Sequence, residues 1–249
     1  MDRPHLQPLD GLFQSVSGLY LTHCYAETMT SGRMGLDVFG HDTSKRQRTS
    51  ERTWKNPLRW NREAQANNVP ARTFCASLAD VFEDAPGPNA WRKELWELVD
   101  ECRWLDWQIL TKRPENIARM LPDDWGDGWR HVWLGTSIED NRVAERSTIL
   151  TQVPAFVHFV SYEPAIGPGD EIPLEGVDWL ICGGESGPGF RKMDLGWAID
   201  MWVRCRDVGV PFFFKQDSGY RTEMGIDALG VVVREYPVSW ERRAVLGLF

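Results

Sequence analysis

The sequence predicts an α/β protein built as a partial (β/α) barrel of TIM-like layout, with about six parallel strand–helix units. Three observations lead there. From residue 70 onward, short apolar runs alternate with helix-like segments. The runs are continuously apolar, as in strands buried on both faces of a parallel sheet. Each run also ends at once in charged, hydroxyl or glycine residues, whereas an open doubly wound sheet gathers such groups at one switch point.

The elements follow in order. Residues 72–76 (RTFCA) form the first run and lead through Ser77, Leu78 and Ala79 to Asp80. Residues 91–102 have helical periodicity, with Leu95, Leu98 and Val99 on one face. Residues 107–110 (WQIL) end in Thr111, Lys112, Arg113 and Pro114, and residues 115–121 read as a helix. Residues 131–134 (HVWL) run into Gly135, Thr136, Ser137, Ile138 and Glu139, with a helix over residues 141–150. Residues 156–160 (FVHFV) lead to Ser161, Tyr162, Glu163 and Pro164. Residues 179–182 (WLIC) lead into a glycine-rich stretch, residues 183–189 (GGESGPG). A helix over residues 195–208 precedes residues 211–214 (PFFF), which end in Lys215, Gln216, Asp217 and Ser218. One domain is expected: an irregular or helical segment over 1–69, the repeats over 70–219, and a β-like extension over 220–249 around Val231–Val233.

Composition narrows the function. The chain has 249 residues, 42% hydrophobic and 26% charged, ordinary for a globular protein. A formal net charge of −8 argues against a general nucleic-acid binder, because phosphate neutralisation needs clustered Lys and Arg. One local basic stretch stands out: Lys45, Arg46, Arg48, Arg52, Lys55, Arg59 and Arg62, interleaved with Trp54 and Trp60. It reads either as a surface for single strands or as a solvated helix whose Arg stems cover buried indoles; the second is favoured. No apolar run reaches membrane-span length and no signal-peptide pattern opens the chain, so a cytoplasmic protein is expected. The five cysteines (Cys24, Cys75, Cys102, Cys182 and Cys205) are scattered, without metal-ligand spacing. Cys75 and Cys182 fall in apolar runs and read as buried thiols. Trp91, Trp96, Trp104 and Trp107, among 13 tryptophans, read as core.

The candidate chemistry sits at the strand ends. Asp80, Lys112, Glu139, Glu163, Glu185 and Lys215 are the catalytic candidates, because parallel strands would bring them to one rim. Carboxylates gathered at low dielectric raise one another's pKa, and Lys or Arg suits an anionic substrate. The alternative for each is an ion pair or a helix cap. Gly183, Gly184 and Ser186 are the cofactor-binding candidates, since glycines after a buried strand allow close backbone approach to a ligand. His158, inside a strand run, reads as a hydrogen-bonded core histidine; His41 and His131 carry no signal.

Several segments together resemble a phage-associated three-Cys-motif family of unknown function. They are residues 24–27 (CYAE), 57–60 (PLRW), 110–115 (LTKRPE), 133–139 (WLGTSIE), 160–164 (VSYEP), 181–189 (ICGGESGPG) and 211–216 (PFFFKQ), in order along most of the chain. That family is similar in layout to radical SAM enzymes, in which three thiolates hold a [4Fe–4S] cluster and the open iron binds S-adenosylmethionine. The resemblance implies that Cys24 matches the last cysteine of the triad, with Gly183, Gly184 and Glu185 on the cofactor side. The chain departs from the family where two further cysteines should precede Cys24; Leu12 and Leu19 stand in that region. As written it is therefore expected to hold no cluster. With permitted codons, residues 7–20 read one base on give N-P-L-T-G-C-S-K-V-S-P-G-C, the form of the missing motif. A frame-shifted copy is expected there, with a poorly packed segment as its consequence; the alternative is a genuinely diverged N-terminus that gave up its cluster. The functions left open are a disabled iron–sulfur barrel enzyme, a non-enzymatic barrel binding a small anionic ligand or a partner, and a phage protein processing nucleic acid. The substrate is not identified.

Overall fold

Continuous runs of β-branched and aromatic residues supply the sheet. In the computed structural model, residues 42–75 and 78–237 are described, together with residues 32, 35, 37 and 38 and the backbone of two short strands. Those two are β1 (Gln7–Leu9) and β2 (Phe13–Gln14). Then come β3 (Gln47–Arg48), β4 (Ala71–Cys75), β5 (Leu105–Thr111), β6 (Val132–Ser137), β7 (Val157–Tyr162), β8 (Trp179–Gly183) and β9 (Phe212–Gln216). One seven-stranded sheet runs β1-β4-β5-β6-β7-β8-β9 with every pair parallel, while β2 and β3 pair antiparallel. Strands β4 to β9 curl into a half-barrel and alternate with helical segments, as the strand-end pattern predicts. Among the described residues, no helix is long and apolar enough to cross a membrane.

The helices are α1 (Glu51–Trp54), α2 (Asn56–Asn67), α3 (Pro86–Glu101), α4 (Glu145–Thr151) and α5 (Leu195–Val208). Their ends follow local chemistry. The Asp194 carboxylate accepts from Gly196 N at 2.8 Å to start α5, and Gly209, at φ 77°, stops it. Helix α3 begins earlier than its apolar periodicity suggests, because Pro86 pre-sets the first turn. The helix expected over residues 115–121 is absent. A single 3-10 turn, Pro114–Asn116, stands there, followed by further i→i−3 bonds such as Met120 N to Ile117 O (2.8 Å). Pro114 and Pro122 bracket the segment, and a proline disfavours α geometry in the residue before it.

Register sorts the sheet into two faces. Trp107, Ile109, Val132 and Leu134 pack with Leu95, Trp96 and Val99 of α3 on the outside. Val160, Leu180, Phe212 and Phe214 pack with Ala198, Met201 and Cys205 of α5 on the same outer side. The other face is concave and holds a separate aromatic cluster: Trp133, Val157, Phe159, Trp179, Ile181 and Phe213. Gly135 makes that packing possible, since a Cβ there would lie 2.2 Å from the Phe159 ring. Each such buried side chain contributes about 1.5–3 kcal/mol through apolar area removed from water.

The basic stretch behaves largely as a helix with covered indoles. Trp54 and Trp60 are buried, and the Arg48 guanidinium lies 4.1 Å over the Trp54 ring. Arg46 goes further than a snorkelling stem: it is buried, forks onto Glu83 at 2.9 and 3.0 Å, and donates to Val38 O at 2.7 Å. Pairing in the C-terminal extension centres on Arg234, which bridges Phe213 antiparallel, with Phe214 N donating to Val233 O at 2.9 Å. Cys24, and residues 7–20 apart from the backbone of β1 and β2, lie outside the described residues.

Candidate functional site

Parallel strands of similar length deliver their carboxyl ends to one edge, and the charged groups gather there. Asp80 follows β4 and is buried. Its Oδ1 accepts from Thr111 Oγ1 (2.7 Å) and Phe82 N (3.0 Å), and its Oδ2 from Arg113 Nη1 (2.8 Å) and Lys112 N (3.1 Å). Those bonds fasten the loop after β5 to the end of β4. Lys112, just past β5, pairs through Nζ with Glu139 Oε1, past β6. Arg146 of α4 holds the other Glu139 oxygen at 3.1 Å and the Ser137 carbonyl at 2.9 Å. Burial is the largest influence on the Arg146 guanidinium and pulls its pKa down.

On the other half of the edge, Glu163 past β7 meets Lys215 of β9 at 3.0 Å and accepts from Ser161 Oγ at 3.0 Å. Lys215 lies inside β9, one step short of its end. Its side chain is 46% exposed, against 25% for Lys112. Gly183 of β8 lies between these two strands; a Cβ there would sit 2.7 Å from Glu163 Oε1 and 3.4 Å from Lys215 Cβ. Gly184 is equally crowded, by Ser218, whose amide nitrogen and hydroxyl would each be 2.4 Å from a Cβ. The two glycines therefore make room for neighbouring strands of the protein itself. Positive φ belongs to Gly187 (116°) and Gly189 (79°) instead.

The loop carrying Ser186 is tied down by its own backbone. Gly184 N donates to Gln216 O (3.0 Å), Gly187 N to Gly219 O (2.9 Å) and Phe190 N to Gly187 O (3.2 Å), and Ser186 bridges Gly219. Glu185 is buried and gripped by Arg191 through N (2.7 Å), Nε (3.0 Å) and Nη2 (2.5 Å). That contact holds the Arg191 guanidinium above its ordinary pKa. All six expected catalytic residues thus share the carboxyl edge. Asp80 and Glu185 serve as anchors for their loops, while the Glu163–Lys215 pair is the more open. Arg146 and Arg191 complete the edge without having been singled out; they come from α4 and from the loop after β8, where no strand-end pattern flags them.

The described thiols behave as core groups. Burial pushes Cys75, Cys102 and Cys205 up to about 12 and Cys182 well above its ordinary value, so all four stay protonated near neutral pH. All four are packed into the outer clusters. Among the described residues, no group of three His, Cys, Asp or Glu is placed to hold a metal ion. With Cys24 as the one remaining cysteine, the chain's donor set does not fit a three-thiolate [4Fe–4S] cluster. The two described histidines are structural: Nε2 of His131 meets Val99 O at 3.0 Å, and Nε2 of His158 meets Val153 O at 2.7 Å.

A protein-family model described as a protein of unknown function (DUF5131) matches residues 7–241. No curated protein and no solved structure matches the chain.

Proposed function

The chain belongs to the DUF5131 family, and from that premise we propose that it binds a small anionic molecule at the carboxyl edge of its half-barrel. The Glu163–Lys215 pair carries this reading. It spans β7 and β9 across a glycine, is the more solvent-open ion pair of the strand ends, and offers an ammonium that an incoming carboxylate or phosphate engages in exchange for Glu163. Lys112 and Arg113 add positive charge on the other half of the edge.

The same reading places the fold's origin in phage-associated, radical-SAM-like iron–sulfur barrels. The support is the half-barrel together with the strand-end segments that resemble that family. No chemical step is assigned to a cluster, because the thiolates for one are lacking. Anaerobic reconstitution with iron and sulfide is expected to leave the chain colourless; about four irons per chain would refute that part. Calorimetric titration with citrate, and separately with inorganic phosphate, tests the binding edge. Saturable, salt-sensitive binding lost in Lys215→Met is expected. Binding unchanged in that variant, or none to either probe in the parent chain, overturns the reading.

A further inference from the structure

Among the described residues, three nitrogen donors on the concave face have no hydrogen-bond partner: Arg72 Nη1, Gln108 Nε2 and Trp133 Nε1. Their residues are 9%, 1% and 0% exposed, so water at the surface does not satisfy them. They come from consecutive strands β4, β5 and β6. Gln108 and Trp133 are register partners, and Arg72 is two residues before Phe74, the register partner of Gln108. Two-residue periodicity therefore puts all three on one face, that of the aromatic cluster. Ring contacts tie the Arg72 end to Trp133. The guanidinium lies 3.8 Å over the Tyr236 ring, Tyr236 is 5.5 Å from Trp179, and Trp179 is 5.9 Å from Trp133.

Orphaned donors in a dry interior are costly, and a buried guanidinium more so. Among the described residues Arg72 makes no ion pair. All three groups donate, one is cationic, and a planar acceptor with negative charge satisfies them together. We propose that the concave face binds a carboxylate group of a small molecule between Arg72, Gln108 and Trp133. This site lies below the carboxyl edge and stands independently of the binding proposed there.

The test is thermal unfolding of the full chain in sodium formate, against sodium chloride at equal ionic strength. The parent chain is expected to melt at rising temperature with formate in a saturable way. Trp133→Phe keeps an aromatic six-membered ring and removes the N–H together with the second ring of the indole. It should weaken the apparent formate affinity by about tenfold, the order expected for one charge-assisted hydrogen bond. Arg72→Met should abolish the formate response and, without formate, melt no lower than the parent, because it removes a buried charge. Lys215→Met at the edge should respond like the parent, which separates failure of this site from failure of the other. A parent chain indifferent to formate, as an internal water bridging the donors would make it, overturns the proposal. So does an equal response in Arg72→Met and Trp133→Phe, or an Arg72→Met that melts lower while formate has no effect.

Discussion

The two ends of the half-barrel treat polar groups in opposite ways. At the carboxyl edge, charge is abundant and each carboxylate meets a cation: Asp80 with Arg113, Glu139 with Lys112 and Arg146, Glu163 with Lys215, Glu185 with Arg191. Deeper on the concave face Arg72, Asp106 and Gln108 are buried, and among the described residues three donors there, on Arg72, Gln108 and Trp133, lack hydrogen-bond partners. The comparison teaches that density of charge at strand ends marks a mutually neutralised scaffold as readily as a site. What distinguishes a binding group is whether its partner can be exchanged, or is missing.

The largest effect should come from breaking the edge at its most engaged group. Asp80→Ala leaves Arg113 without its closest carboxylate and removes the acceptor for Thr111 and two backbone amides. A loss of about 3–5 kcal/mol in urea unfolding is expected; a loss under about 1 kcal/mol would mean the edge is not interlocked. Next comes the concave face. Gly135→Ala drives a methyl into the Phe159 ring and should cost about 1–3 kcal/mol, with part recovered by adding Phe159→Leu. Equal stability of the single and double variants would show a looser floor than the packing implies.

A third test separates buried neutral groups from paired ones by pH. The thiols of Cys75, Cys102 and Cys205 are held near 12 in the folded chain, above their unfolded value of about 8.5. Their contribution is therefore complete below about pH 8.5 and is lost as pH rises toward 12. Each thiol gives a slope of up to about 1.4 kcal/mol per pH unit there. Cys205→Ala should flatten the alkaline decline by one such increment; an unchanged slope would mean that thiol is not protected. The smallest effect belongs to Lys215→Met, whose half-exposed pair should change stability by less than about 1 kcal/mol. A larger loss would make Lys215 part of the scaffold.

Most of the sheet is legible in the chain because strands covered on both faces must be continuously apolar. Residues 179–182 and 156–160 mark β8 and β7 to within two residues at either end. Strand β5 is harder: Asp106 and Gln108 are buried within it, and a polar residue in an apolar run reads as an interruption. Gln108 within WQIL was nonetheless a signal, since a buried carboxamide needs partners. The strand-end charges were legible as a set. Which of them are engaged was not, because Arg146 and Arg191 arrive from later segments. The crowding that requires Gly183 and Gly184 was hidden likewise, since it comes from Glu163 and Ser218, distant in sequence.

The sign of one binding change tests the central claim. If Lys215 is the anion-binding group and Glu163 its exchangeable partner, then Glu163→Gln removes the competitor and should tighten citrate binding. Lys215→Met should weaken it in the same calorimetric titration. Tighter binding in the first variant and weaker in the second is the predicted result. Equal weakening in both would contradict it, and would make the intact ion pair a structural element of the edge.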